Sequence, residues 1–290
     1  MITAEESPSF ERFGTADPAS PVVIAVPHAG RVYPAPLIAS AAVPRGRLEA
    51  LEDRYADALI AGAVRDGVTA FVARHARAWI DLNRDERELD PGMIEGSALP
   101  TAMIGSARVR GGLGLIPRRL AGGGEILRRR LSAAEVDARI KGDHRPWHSA
   151  IASALTAARA RFGIAVLLDC HSMPPIVRED TPDPARIVIG DRFGRSSASR
   201  FVDRLVSEAQ AVRLPCSRNS PYAGGHTLDR HGRPEKNIHA VQIEIDRSLY
   251  LAPDLRTAGP GMARMTAFLA TLAGALADEA LALPPAIAAE

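Results

Sequence analysis

Three short apolar runs constrain this chain more than any other feature. Val22-Val23-Ile24-Ala25-Val26 is rich in β-branched residues and stops at Pro27-His28-Ala29-Gly30. Residues 164–170 (IAVLLDC) run into His171, and residues 239–245 (HAVQIEI) run into Asp246-Arg247. Runs this short, bounded by turn formers, suit strands covered on both faces better than helices. Covered strands of this kind sit inside a parallel sheet, whose crossovers need helices. Residues 71–74 (FVAR), 78–82 (AWIDL) and 186–191 (RIVIGD) read as further strands. Helical spacing falls between them. Leu48, Leu51, Tyr55 and Leu59 share one face of a helix predicted over 47–65, which Gly67 ends. Helical character returns over 132–161, interrupted near Pro146, then over 196–210 and in the Ala- and Leu-rich 262–281. Strands alternating with helices predict an α/β fold with a mainly parallel sheet.

The chain is long enough to bury a large core without disulfides or a structural metal. It has 290 residues, 46% of them hydrophobic and 24% charged, which excludes a mostly disordered chain. Its two cysteines, Cys170 and Cys216, make no disulfide framework. The start, MITAEESPSF, lacks the apolar stretch of a signal peptide, and no run is long enough to span a bilayer. A cytoplasmic location is expected. The formal charge is +2, and of 36 basic residues only Lys141 and Lys236 are lysines. The arginine clusters 118–119 and 128–130 have no aromatic neighbours, so a nucleic-acid surface is not expected, nor a membrane one. Residues 1–20 read as a loosely held arm and 21–290 as one domain. Residues 84–130, charged and rich in glycine with little periodicity, read as a long loop insertion or lid near a site.

His28 and His171 each follow a buried strand, where the carboxyl ends of an open α/β sheet line a ligand crevice. A single histidine there is commonly a hydrogen-bonded structural group. Two at equivalent ends suit a metal, and a catalytic zinc takes three protein ligands. Glu52 and Asp53 offer adjacent carboxylates for the third, or a solvated helix face. Glu244 stands in an apolar strand, on one face with Gln242 and Asp246, opposite Val241, Ile243 and Ile245. It reads either as a paired structural acid or as a general base. Arg84 closes the run Asp81-Leu82-Asn83-Arg84 and could clamp a carboxylate, with Arg247 as a second candidate. Residues 219–226 (NSPYAGGH) read as a substrate loop or a tight turn, and match no phosphate-binding pattern. Ser172 lacks the GxSxG elbow of a serine hydrolase.

Taken in order, seven segments resemble the N-formylglutamate amidohydrolase family. They are Pro27-His28-Ala29-Gly30 with Tyr33-Pro34, Glu52-Asp53-Arg54-Tyr55, Asp81-Leu82-Asn83-Arg84, residues 112–117, residues 169–174, residues 219–225, and residues 242–247. The resemblance covers about residues 21 to 251. It implies kinship with the zinc carboxypeptidases and aspartoacylases, and so a phosphorylase/hydrolase-like three-layer fold: a mainly parallel mixed sheet with helices on both faces. It implies zinc held by His28, Asp53 and His171, with Glu244 and Arg84 catalytic. The implied substrate contacts are Asn83, Arg84, Asn219, Tyr222, Gly224, Gly225, His226 and Arg247. The implied activity is hydrolysis of the N-formyl amide of an acidic N-acyl amino acid, a step of histidine degradation. The sequence departs from the wider pattern at Arg31, where the carboxypeptidases place the Glu of His-x-x-Glu, and at Ala29, where the family favours Ser. Two rival expectations stand beside this one: an amidohydrolase for another N-acyl amino acid or small peptide, and a non-catalytic carboxylate-binding domain.

Overall fold

The computed structural model describes residues 8–96, 103–120, 123–177 and 184–282. Positions 1–7 of the expected arm, and 97–102 and 121–122 of the expected insertion, lie outside the described residues. Among the described residues seven strands form one mixed sheet: β1 (Phe10–Phe13), β2 (Val22–Val26), β3 (Thr69–Ala73), β4 (Ala165–Met173), β5 (Ile187–Gly190), β6 (Cys216–Arg218) and β7 (Ile238–Asp246). Their order is β1-β3-β2-β4-β7-β5-β6. The centre, from β3 through β2 and β4 to β7, is parallel; β1 runs antiparallel to β3, and β5 antiparallel to β7. The fold is α/β.

The helices are α1 (Ala35–Ser40), α2 (Arg45–Leu48), α3 (Ala56–Leu59), α4 (Ala61–Arg65), α5 (Ala107–Arg110), α6 (Ala133–Arg139), α7 (Arg145–Phe162), α8 (Ser199–Ala211), α9 (His226–His231) and α10 (Met262–Leu281). Alternation along the central strands divides the core in two. Val166, Leu168 and Cys170 of β4 and Val241, Ile243 and Ile245 of β7 pack against α3, α4, α8 and α10. Ala165 and Leu167 face the other way, onto Trp147, Ile151, Leu155 and Ala158 of α7. Helices therefore cover both faces. Among the described residues no helix is long and apolar enough to cross a membrane.

Four expectations need correction. Residues 10–13, placed in a loose arm, form edge strand β1, which Phe10 anchors by packing on Phe71 and Trp147. The helix over 47–65 is broken. After α2 and a 3₁₀ turn (Glu49–Leu51) the backbone extends at Glu52, and Tyr55 is left-handed before α3 begins. The Asp53 amide donates to the His28 carbonyl at 2.9 Å, a tertiary bond that replaces a helical one. Residues 78–82 are not a strand, although they are largely buried. No ladder satisfies this irregular segment; the Asp81 amide instead donates to the Leu115 carbonyl, and the Leu82 carbonyl accepts from His148 Nε2. Finally, much of the 84–130 segment is core rather than lid: Leu89, Met93, Ile94, Leu115 and Ile116 are buried against the α7 side of the sheet. The interruption expected near Pro146 is a π-helical turn, Ile140–His144, joining α6 to α7.

Candidate active site

The parallel register of β4 on β7 sets His171 beside Glu244 and Asp169 beside Gln242. His171 lies within β4 rather than after it, because pairing with β7 continues to Met173. His28 follows β2 by two residues, and the break before α3 turns Asp53 back towards it. Ligand-capable atoms of His28, Asp53 and His171 lie within 4.8 Å of one another, all three residues buried. Asp53 Oδ2 sits 3.1 Å from His171 Nδ1 and 3.5 Å from His28 Nδ1.

The far atom of each of these residues is held by another partner. His28 Nε2 pairs with Asp81 Oδ1 at 2.7 Å, and His171 Nε2 with Asp169 Oδ2 at 3.0 Å. Asp53 Oδ1 accepts from Arg247 at 3.0 Å. A histidine whose outer nitrogen donates to a carboxylate presents the inner one as a lone pair, the usual arrangement around zinc. Two imidazoles and one carboxylate are a donor set that fits zinc with one position open.

The electrostatics follow from this packing. Burial opposes charge on Asp53, but hydrogen bonds from His171 and His28 hold its carboxyl well below the usual range. Burial likewise opposes the charge on His171, yet Asp169 and Asp53 hold its imidazolium well above the ordinary value. Burial pushes Glu244 up to about 7, with His171 pulling the other way. Its nearest hydrogen-bonding neighbour is Gln242, whose amide donates at 3.0 Å.

These groups open into a cavity of about 490 Å³, also lined by Asn83, Arg84, Tyr222, Gly224 and Gly225. Asn83 is held by the Thr227 amide, which donates to its Oδ1 at 2.8 Å, and its amide nitrogen is 3.1 Å from His171 Nε2. Gly225 is close enough that an added Cβ would meet Asn83 Oδ1 at 2.4 Å, so a side chain there would displace Asn83. Arg84 is buried and donates to the carbonyls of Leu113 and Asn83; burial lowers its guanidinium to about 10, which leaves it cationic at neutral pH.

Several residues named from sequence sit elsewhere or are already engaged. Asn219 does not line the cavity; its side chain accepts from the Asp191 and Phe193 amides and braces that turn. His226 does not line the cavity and instead packs among His144 and His148. Arg247 lines the cavity, but its guanidinium is given to Asp53 and Ser172. The sequence reading missed Arg77, Arg108 and Arg192, which make five lining arginines with Arg84 and Arg247. In a chain with 34 arginines nothing local marks Arg108 or Arg192. The bond from Arg77 to Asp81, four residues on, is the one signal that spacing offered.

The model of the N-formylglutamate amidohydrolase family matches residues 20–251. An N-formylglutamate deformylase of Pseudomonas putida is 30% identical over 243 residues, covering 80% of this chain and 82% of the relative. One from Pseudomonas aeruginosa is 29% identical over 239 residues, with the same coverage. The crystal structure of an N-formylglutamate amidohydrolase from Ralstonia eutropha JMP134 superposes with a TM-score of 0.86 at 33% identity, covering 94% of this chain and 98% of that one. An Agrobacterium tumefaciens protein shares the fold at a TM-score of 0.62 and 21% identity, covering 95% and 97% of the two chains. By sequence over most of its length, and by superposition on a solved member, the chain belongs to the N-formylglutamate amidohydrolase family.

Proposed function

We propose that this protein hydrolyses the N-formyl amide of N-formyl-L-glutamate, releasing formate and glutamate, with zinc held by His28, Asp53 and His171. The convergence of those three side chains beside Glu244, at the floor of an arginine-lined cavity, carries the reading. The names of the Pseudomonas and Ralstonia relatives support the substrate. Zinc in this position supplies Lewis acidity, which polarises an amide carbonyl and acidifies water.

The chain's own residues do the rest. Glu244, with its carboxyl near 7, takes the proton of the attacking water and returns it to the departing nitrogen. Arg84 holds the α-carboxylate as a desolvated cation, worth more there than at a surface. Arg108, on α5, lines the same cavity and serves the side-chain carboxylate. Asn83 and the segment Tyr222–Gly225 close the remaining walls.

The test is to assay formyl, acetyl and succinyl glutamate together with zinc content. Turnover confined to the formyl compound, with zinc lost from His28→Ala and His171→Ala, is the expected result. Preference for a longer acyl group would move the substrate to another N-acyl amino acid, and full zinc in either variant would remove that histidine from the ligand set.

A further inference from the structure

A second group of histidines lies behind the active-site wall. His144 ends the π-helical turn, His148 follows one turn later on α7, and His226 opens α9. Each ring offers a nitrogen, and these three nitrogens lie within 4.8 Å of one another. The ring centroids are 4.5 Å apart for His144 and His148, 5.2 Å for His148 and His226, and 5.8 Å for His144 and His226.

Two of the outer nitrogens are fixed by the active-site segment. His144 Nε2 donates to the Arg84 carbonyl at 2.8 Å, and His148 Nε2 to the Leu82 carbonyl at 3.0 Å. His226 Nδ1 faces the Asp85 carboxylate at 3.9 Å. Those two bonds leave lone pairs on His144 Nδ1 and His148 Nδ1, and a proton on His226 Nδ1, on the side of Asp85, leaves one on His226 Nε2. His144 Nδ1 and His226 Nε2 are buried with no hydrogen-bond partner among the described residues. Two orphaned buried nitrogens in one cluster are costly unless something satisfies them. His148 Nδ1 accepts from His231 Nε2 at 2.9 Å, a bond that an ion held at Nδ1 would replace.

We propose that His144, His148 and His226 form a second metal site, which takes a divalent transition ion of the imidazole-preferring class, such as zinc. Three imidazoles, two of them backed by backbone carbonyls and one facing a carboxylate, are a nitrogen-only donor set that leaves one position of a tetrahedral ion open. The i, i+4 spacing of His144 and His148 is the spacing that puts two ligands on one helix face. Asp85 and Glu86 offset the charge that Arg230 opposes. The ion would fasten α7 and the start of α9 to residues 82–85, the segment that delivers Asn83 and Arg84 to the cavity. The proposal stands independently of the active-site reading.

The test is zinc stoichiometry after chelator stripping, reloading with zinc chloride and exhaustive dialysis. We expect two ions per chain in the wild type and one in His226→Gln, chosen because His226 borders the surface. A His28→Ala/His171→Ala double variant should keep one ion, and cobalt(II) loaded there should show the intense visible bands of a tetrahedral site. One ion in the wild type, kept by the double variant and lost by His226→Gln, would also uphold this site while removing the active-site one. A single ion lost by the double variant overturns the proposal. So do two ions unaffected by His226→Gln. If the double variant fails to fold, the comparison of wild type with His226→Gln decides alone.

Discussion

At the scale of single residues, the site is built from charges that restrain one another. Burial lifts the carboxyl of Glu244, the proposed base, to about 7. Activity should therefore decline as pH falls below 7 and the carboxylate takes up its proton, since a base works only ionised. Glu244→Gln keeps the shape and the contact with Gln242, so zinc should be retained while kcat drops by roughly 10² or more. Measuring kcat/KM from pH 5.5 to 9 checks both halves: the variant should lack the acidic limb, and a near-normal kcat would place the base elsewhere. Arg84 behaves differently. Arg84→Ala should lower kcat/KM for N-formylglutamate by about 10² or more, the cost of a lost charge-assisted pair, but much less for its α-amide. Equal losses would mean that its bonds to Leu113 and Asn83 hold the wall and that its charge does not bind substrate. His28, His171 and mid-strand Glu244 were legible because a polar group in or just after an apolar run needs a reason. The commitment of Arg247 to Asp53 was not legible, since it depends on residues 194 positions apart.

At the scale of elements, the central strands and α10 were readable from local pattern, β2 and α10 to the residue. The segment 47–65 was not. Its apolar spacing is helical, but tertiary bonds break the helix where Asp53 must reach the histidines. This break also separates the two adjacent acids. Asp53 faces His28 and His171, whereas Glu52 accepts from Tyr33 and Arg54, and burial raises its carboxyl. Asp53→Ala should therefore weaken zinc binding by about tenfold or more, and Glu52→Ala should leave it nearly unchanged while lowering thermal stability. Competition titration with a chromophoric chelator ranks the two, and the reverse order would transfer the ligand to Glu52. Residues 78–82 misled for a related reason. Ile80 and Leu82 are buried in the cluster between the sheet and α7 without joining a ladder, and periodicity does not distinguish the two.

At the scale of the whole molecule, the proposed zinc ligands come from the end of β2, the break before α3, and β4. An ion bound only when these meet stabilises the folded state by mass action, about 2.7 kcal/mol at a hundredfold excess over Kd. Chelation should lower Tm by several degrees and zinc should restore it, as scanning calorimetry would show; an unchanged Tm would mean that the three groups hold no ion. Because His171 holds its proton well above the ordinary imidazole value, zinc must displace that proton, and affinity should weaken as pH falls. The sheet itself carries a different consequence. Its interior strands β2, β4 and β7 are apolar enough to template a neighbour if laid bare. The order of the strands places them inside, and the margins are β1 and β6, of four and three residues. Such short borders give an incoming strand little to pair with. The chain's first described strand is thus a stopper against self-association: without the residues ahead of Gly14, the wholly buried β3 would become the rim.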